Sequence, residues 1–274
     1  MSEDELFLTA ILNCSRSDLY IRQFVLTDSQ QQQLDLMRQR RSNQEPVQYI
    51  CGFTEFMGLR MAVGSGVLVP RPETEVLADQ LVRELKAGSH SECRVLDLGT
   101  GSGCLAISVA SFVRQSYAVA VDSSVEALAF ARENARRNAV QDRVSFVQMD
   151  MFSFMEQDTG EYDAIVSNPP YIPSSLIDGL PADVKMEPRL ALDGGADGLD
   201  YYRRLVPLSL RLLKSGAMLL LEFGDGQEKS LQNIFEQDHA WDKIRLLEDN
   251  TGRPRVIMAC KNKFPLPTKD KRHG

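Results

Sequence analysis

The sequence predicts an α/β fold, a mostly parallel sheet covered by helices on both faces, preceded by a small helical segment and a hairpin-bearing connector. Three observations carry this expectation. From residue 93 onward, short apolar runs alternate with helical patterns in a strand–helix rhythm. The first strand–helix joint is a glycine loop, Gly99-Thr100-Gly101-Ser102-Gly103. Residues 43–75 break with the helical character before them, punctuated by Gly52, Gly58, Gly64, Gly66, Pro70 and Pro72. The chain's 274 residues, 43% hydrophobic and 25% charged, suffice for one large domain or two unequal ones that bury a core without a disulfide or metal.

Residues 5–42 read as helical, with Leu6, Leu8, Ile11 and Leu12, then Leu34, Leu36 and Met37, set among polar neighbours. Thr27-Asp28-Ser29-Gln30 offers N-cap candidates for a second helix running to about Arg41. The β-prone pieces of 43–75 suit a hairpin, after which Pro72 opens a helix. Glu73 and Glu75 in its first turn complement the helix dipole, and Gly88-Ser89 ends it. Arg94–Leu98 is a strand, Cys104–Val113 an Ala-rich helix and Tyr117–Val121 a second strand. Ser123 and Glu126 have capping-box spacing for a helix through about Arg137. Val144–Gln148, Tyr162–Val166 and Ala217–Glu222 are further strands, with helices near Gly198–Leu213 and Gln227–Gln237. Two last strands, Lys243–Leu247 and Arg255–Cys260, flank the reverse turn Asp249-Asn250-Thr251-Gly252. The expected organisation is a helical N-terminal domain over 1–45, a linker over 46–75, an α/β domain over 76–262 and a disordered tail over 263–274.

A net charge of −7 argues against a broadly basic nucleic-acid wrapper. Five cysteines without a Cys-x-x-Cys point to a reducing compartment, and three scattered histidines do not make a zinc ligand set. No apolar run reaches about 18 residues, and the acidic start Ser2-Glu3-Asp4-Glu5 is unlike a signal peptide. A cytoplasmic soluble protein is expected.

The glycine loop lets the backbone turn sharply and approach a ligand where a Cβ would collide. Two ligands fit it. Gly101-Ser102-Gly103-Cys104-Leu105-Ala106 satisfies the dinucleotide fingerprint, and Asp122 lies about where a ribose-binding acid belongs. Against NAD, Asp97 ahead of the glycines would repel a pyrophosphate but suits the cationic amino-acid end of S-adenosylmethionine, and no hydride-transfer His or Lys stands out. Asp122 can accept hydrogen bonds from both ribose hydroxyls, or be merely an exposed acid at a strand end.

Asn168-Pro169-Pro170-Tyr171 follows the fourth strand, at the carboxyl edge where open α/β sheets bind ligands. Asn-Pro is also a common turn. A planar amide or exocyclic nitrogen spends its lone pair on conjugation and attacks a methyl sulfonium poorly. The Asn168 side-chain oxygen and the Pro169 carbonyl can hold its two N–H groups, aim the lone pair and stabilise developing positive charge. The prolines fix φ and remove backbone donors, and Tyr171 can pack on the planar group.

These two loops, with Pro-Val-Gln-Tyr-Ile-Cys-Gly (46–52), Pro-Arg-Pro-Glu-Thr-Glu (70–75), the 191–199 segment Ala-Leu-Asp-Gly-Gly-Ala-Asp-Gly-Leu and Gly252-Arg253-Pro254-Arg255, resemble the PrmC/HemK family of peptide chain release factor N5-glutamine methyltransferases. The resemblance spans about residues 5–260. It implies a Rossmann-like seven-stranded S-adenosylmethionine-dependent methyltransferase sheet, a small helical N-terminal domain for substrate recognition and a β-hairpin linker. It also implies methylation of the glutamine in the Gly-Gly-Gln motif of class 1 release factors, with S-adenosylhomocysteine as product; a monomer is expected. Carried over, Asp97, Gly99, Thr100, Gly101, Ser102 and Gly103 serve the methionine end of the cofactor, Asp122 its ribose, and Asp150 and Met151 its adenine. Asn168, Pro169, Pro170 and Tyr171 bind the substrate glutamine, with Asn168 also bordering the cofactor. Met151 stands where some relatives have tryptophan.

Three rival readings remain at this stage. One is a sister enzyme acting on a ribosomal-protein glutamine. Another is an N6-adenine or N2-guanine nucleic-acid methyltransferase, disfavoured by the acidic charge. The third, a non-catalytic binding module, is disfavoured by the intact Asn168–Tyr171 loop. Arg38, Arg40 and Arg41 either touch a protein partner or form a solvated helix end, and Arg71, Glu73 and Glu75 either brace the linker or touch substrate.

Overall fold

The computed structural model describes residues 2–88 and 92–263. Ser89, expected at a helix end, and the tail from residue 264 lie outside the described residues. The N-terminal segment holds α1 (Glu3–Leu12), α2 (Arg16–Ile21), α3 (Asp28–Ser42) and α4 (Val47–Cys51). The first three open on capping boxes at Ser2, Ser15 and Thr27. Three helices thus occupy the stretch where two were expected, because Asn13 closes α1 in a left-handed conformation and Ser15 and Thr27 each open a new helix with a capping box. Phe7, Leu34, Met37 and Ile50 form a small core joining α1, α3 and α4, so this packed cluster runs through Cys51. The arginine cluster of α3 is engaged internally. Arg38 pairs with Asp4, Arg40 with Glu45, and Arg41 with Glu3 and Asp183.

The hairpin β1 (Phe53–Phe56) and β2 (Leu59–Ala62) follows, and α5 (Pro72–Ala87) opens with Pro72 in its first turn. The remainder alternates as β3 (Cys93–Leu98), α6 (Cys104–Phe112), β4 (Ser116–Asp122), α7 (Val125–Arg137), β5 (Val144–Gln148), α8 (Met151–Gln157) and β6 (Tyr162–Ser167). After three short 3-10 turns come α9 (Asp200–Leu212), β7 (Leu213–Glu222), α10 (Glu228–Glu236), β8 (Trp241–Glu248) and β9 (Pro254–Lys261). The cap of α7 is Ser124, whose hydroxyl accepts from Ala127 N at 3.0 Å, and not Ser123 as expected. Asp122 dictates the shift, since its Oδ1 accepts from Ser124 N at 2.9 Å and sets where the helix begins.

The seven-stranded sheet runs β5-β4-β3-β6-β7-β9-β8, parallel from β5 to β7 and antiparallel for β9 and β8. Side-chain alternation divides the core into two layers. Val95, Ala118, Ala120, Ala164, Val166 and Leu220 face α5 and α6, while Leu96, Leu98, Ile165, Leu219 and Leu221 face α9 and α10. Strand order reverses at β3, whose neighbours are β4 and β6. There β3 and β6 end in register, Leu98 opposite Ser167, so the glycine loop and the Asn168 loop leave adjacent strands side by side.

Candidate active site

Hydrogen bonds to the strand ends shape the glycine loop. The N–H groups of Gly99 and Thr100 both donate to Val121 O, at 2.9 and 3.0 Å, and Gly101 N donates to Asp122 Oδ2 at 2.8 Å. Gly99, Gly101 and Gly103 take φ of +69°, +56° and +83°, a left-handed conformation that other residues rarely adopt. A Cβ on Gly99 would stand 3.1 Å from Met151 Cε and crowd the space between loop and Met151. That space belongs to a partly open cleft. Its walls include Gly99, Thr100, Gly101, Ser102, Asp122, Asp150, Met151 and Asn168.

Two expected cofactor residues are not on that wall. Asp97 is fully buried beneath the loop, because it sits in β3, an interior strand flanked by β4 and β6. Its Oδ2 accepts from Thr100 Oγ1 at 2.6 Å and Ala106 N at 3.1 Å, while Oδ1 has no hydrogen-bond partner among the described residues. Burial lifts the carboxyl to about 7, against those two hydrogen bonds. Asp97 thus holds the loop from below through Thr100 and Ala106. Gly103 turns the chain into α6, where a Cβ would meet Ile107 Cδ1 at 2.8 Å. Asp150 lies on the wall and also caps α8 through Ser153 N at 2.9 Å.

Asn168 stands between this cleft and a second one lined by Arg71, Glu73, Tyr171, Leu192 and Arg255. Its Nδ2 donates to Thr74 Oγ1 at 3.1 Å, and no group among the described residues donates to its amide oxygen. The fixing partner is a side chain on α5, not neighbouring backbone. Pro170 lines the first cleft, Tyr171 the second, and Pro169 is buried between them. The 191–199 segment clasps the loop from outside: Ile172 N donates to Leu192 O at 2.9 Å and Gly194 N to Ile172 O at 2.8 Å. Gln227 Nε2 holds Tyr171 O at 3.0 Å.

The 70–75 segment divides its work. Glu75 Oε1 accepts from Met57 N at 2.7 Å and braces the hairpin. Arg71 pairs with buried Glu187, whose other oxygen accepts from Val69 N at 3.0 Å, while also lining the second cleft with Glu73. Thr74 and Tyr201 also line the cofactor-side cleft and were not foreseen. Thr74 at least lies inside a motif the sequence singles out; Tyr201 carries no such signal.

A parallel sheet with a glycine cradle at its switch point, beside an Asn-Pro-Pro-Tyr loop in register, defines an S-adenosylmethionine-dependent methyltransferase. The hMettl16 catalytic domain shares the fold, with a TM-score of 0.60 over 94% of this chain and 93% of that one at 16% identity. A methyltransferase small domain model matches residues 72–177, and a PrmC N-terminal domain model matches residues 2–52. The release factor glutamine methyltransferase of Moorella thermoacetica is 41% identical over 80% of this chain and 76% of its own. That of Thermodesulfovibrio yellowstonii is 34% identical over 92% of this chain and 90% of its own. The chain belongs to the release factor glutamine methyltransferase family. No helix among the described residues is long and apolar enough to cross a membrane.

Proposed function

We propose that this protein transfers a methyl group from S-adenosylmethionine to the side-chain amide nitrogen (N5) of the glutamine in the Gly-Gly-Gln motif of class 1 peptide chain release factors. It does so as a cytoplasmic monomer that does not itself bind nucleic acid. One observation carries the reading: Asn168 borders both clefts with its Nδ2 held by Thr74, so a carbonyl oxygen is presented between cofactor space and substrate space.

When bound, S-adenosylmethionine supplies an electrophilic methyl on a sulfonium; the C–S electron pair stays on sulfur, leaving neutral S-adenosylhomocysteine. The chain's own task is to make a weak nucleophile adequate. Asn168 Oδ1 and the Pro169 carbonyl accept the two N–H groups of the substrate amide, turn its lone pair toward the methyl and stabilise positive charge as the N–C bond forms. The product nitrogen then sheds one proton to solvent. Gly99, Thr100, Gly101 and Ser102 hold the methionine portion, Asp122 the ribose, and Asp150 with Met151 the adenine; these assignments rest on the cleft they share. Asp97 and Gly103 serve by shaping the loop. The helical segment (1–45, with α4 packed on it) recognises the protein substrate, 46–75 link it to the catalytic domain, and 76–262 carry the chemistry.

The test is Asn168→Ala in single-turnover transfer to purified release factor. Transfer should fall by about two to three orders of magnitude, the loss typical of one preorganised charge-stabilising contact. Melting temperature and cofactor affinity should change little. Near-normal transfer, or loss that merely tracks unfolding, refutes the reading.

A further inference from the structure

A side-chain amide is nearly symmetric in shape, yet only its oxygen end can hold a substrate N–H. Something must choose which end of Asn168 faces the substrate. Thr74 Oγ1, which takes the Nδ2 hydrogen at 3.1 Å, does not choose alone. A hydroxyl both donates and accepts, so it can equally donate to Oδ1 and turn the amide around. The choice needs a third group that takes up the Thr74 hydrogen.

Glu222, at the end of β7, is such a group. It is 1% exposed, its Oε2 has no hydrogen-bond partner among the described residues, and two positions after Leu220 it comes onto the sheet face covered by α5, the helix that carries Thr74, one position beyond the Ser167–Leu221 pairing that precedes Asn168. Thr74 is itself 2% exposed, so water does not compete for the link. The charged and titratable groups facing Glu222 are Glu73 on α5, Tyr171, Arg255 on β9, Tyr202 on α9 and Cys104 on α6. Burial raises its carboxyl to about 7, while Thr74, Arg255 and Tyr171 pull it down, so it is an acceptor-only carboxylate on the alkaline side of neutrality.

We infer that Glu222 and Thr74 form a positioning chain in which Glu222 accepts the Thr74 hydroxyl hydrogen, Thr74 accepts from Asn168 Nδ2, and the Asn168 oxygen is thereby committed to the substrate. This rests on the reading of Asn168 as the substrate acceptor. It also gives the threonine of the 70–75 motif a role, and it explains why a carboxyl group sits buried beside a methyl-transfer site. Neither residue touches the reacting atoms; both act through Asn168.

The test uses the full chain, S-adenosylmethionine and release factor at about pH 8. Thr74→Val keeps the shape but removes the hydroxyl, and should lower kcat about tenfold, with KM for release factor and cofactor affinity within about twofold. Thr74→Ser should recover most of the rate. Glu222→Met fills the site with apolar volume, so its melting temperature should hold or rise while kcat falls about tenfold. A merely structural carboxyl would instead lose rate in step with stability. In an Asn168→Ala background, Thr74→Val should slow transfer no further. Parent-like kcat in Thr74→Val and Glu222→Met, or an additive loss in the double variant, overturns the positioning chain. Asn168→Ala measured alongside separates the two ideas. If that variant is slow while Thr74→Val and Glu222→Met match the parent, the positioning chain alone fails; if it transfers normally, the acceptor reading fails first.

Discussion

Gly194→Ala is the most informative single methyl to add to this protein. A Cβ at Gly194 would lie 2.7 Å from Tyr171 Cα, 2.8 Å from Pro170 O and 2.9 Å from Tyr171 C. All three are backbone atoms, so no side-chain rotation relieves the clash. Ordinary contact begins near 3.4 Å, and the 191–199 segment and the Asn168–Tyr171 loop must therefore part by about 0.7 Å. Gly194 N and Ile172 O are hydrogen-bonded at 2.8 Å, so the loop either follows the displacement or gives up that bond. Overpacking of this kind destabilises by about 1–3 kcal/mol. The larger effect is on chemistry, since a misplacement approaching 1 Å at a positioning group can lower rate by about a hundredfold. We expect single-turnover transfer to fall about ten- to a hundredfold. Cofactor affinity by calorimetry should stay near that of the parent, because the glycine loop hangs from β3 and β4 instead. Gly179→Ala is the control, as its Cβ meets nothing within 4 Å. Normal transfer by Gly194→Ala, or cofactor affinity falling together with rate, refutes the reasoning.

Asp122→Ala removes the acceptor of Gly101 N and Ser124 N together with the proposed ribose contact, and should weaken cofactor binding about ten- to a hundredfold; unchanged calorimetric affinity refutes the assignment. Asp97 is held at about 7 against an ordinary 3.8, so the folded protein keeps a proton that the unfolded chain releases. Its contribution to stability is full below about pH 3.8 and is lost as pH rises to about 7, so the parent's melting temperature should fall more than that of Asp97→Asn between about pH 5 and pH 8. Equal falls refute it. Arg71→Met leaves the buried Glu187 without its cation; the loss should be about 2 kcal/mol by urea unfolding, at the low end because Arg71 is 32% exposed, and an unchanged midpoint refutes it.

Much of this architecture is legible in the sequence because its strands are buried on both faces and read as apolar runs, such as Ala164–Val166 and Leu219–Leu221. Two of the short helices, α4 and α8, were not visible. Val47–Cys51 is five residues between Pro46 and Gly52, and Met151–Gln157 is under two turns, too little for a 3.6-residue period to declare itself. At the site, Asn168 can be singled out because its loop carries chemistry in consecutive residues. Thr74 cannot, since its meaning arises from a contact 94 residues away. The pairings that occupy Arg38 and Arg41 span more than 30 positions and are equally silent in sequence.

β9 lies between β7 and β8, although it is the most C-terminal of the described strands. The sheet is therefore completed by insertion and not by addition at an edge. During synthesis, β7 leaves the ribosome with its apolar residues Leu219–Leu221 in place and the edge that will receive β9 unpaired. That edge is a template for wrong pairing until Pro254–Lys261 emerges to occupy it. A nascent chain interrupted within the turn at 249–252 would carry both strand-docking site and Asn168 loop, yet lack Arg255 beside Glu222. Premature termination in this gene should thus yield aggregates rather than a partly active enzyme.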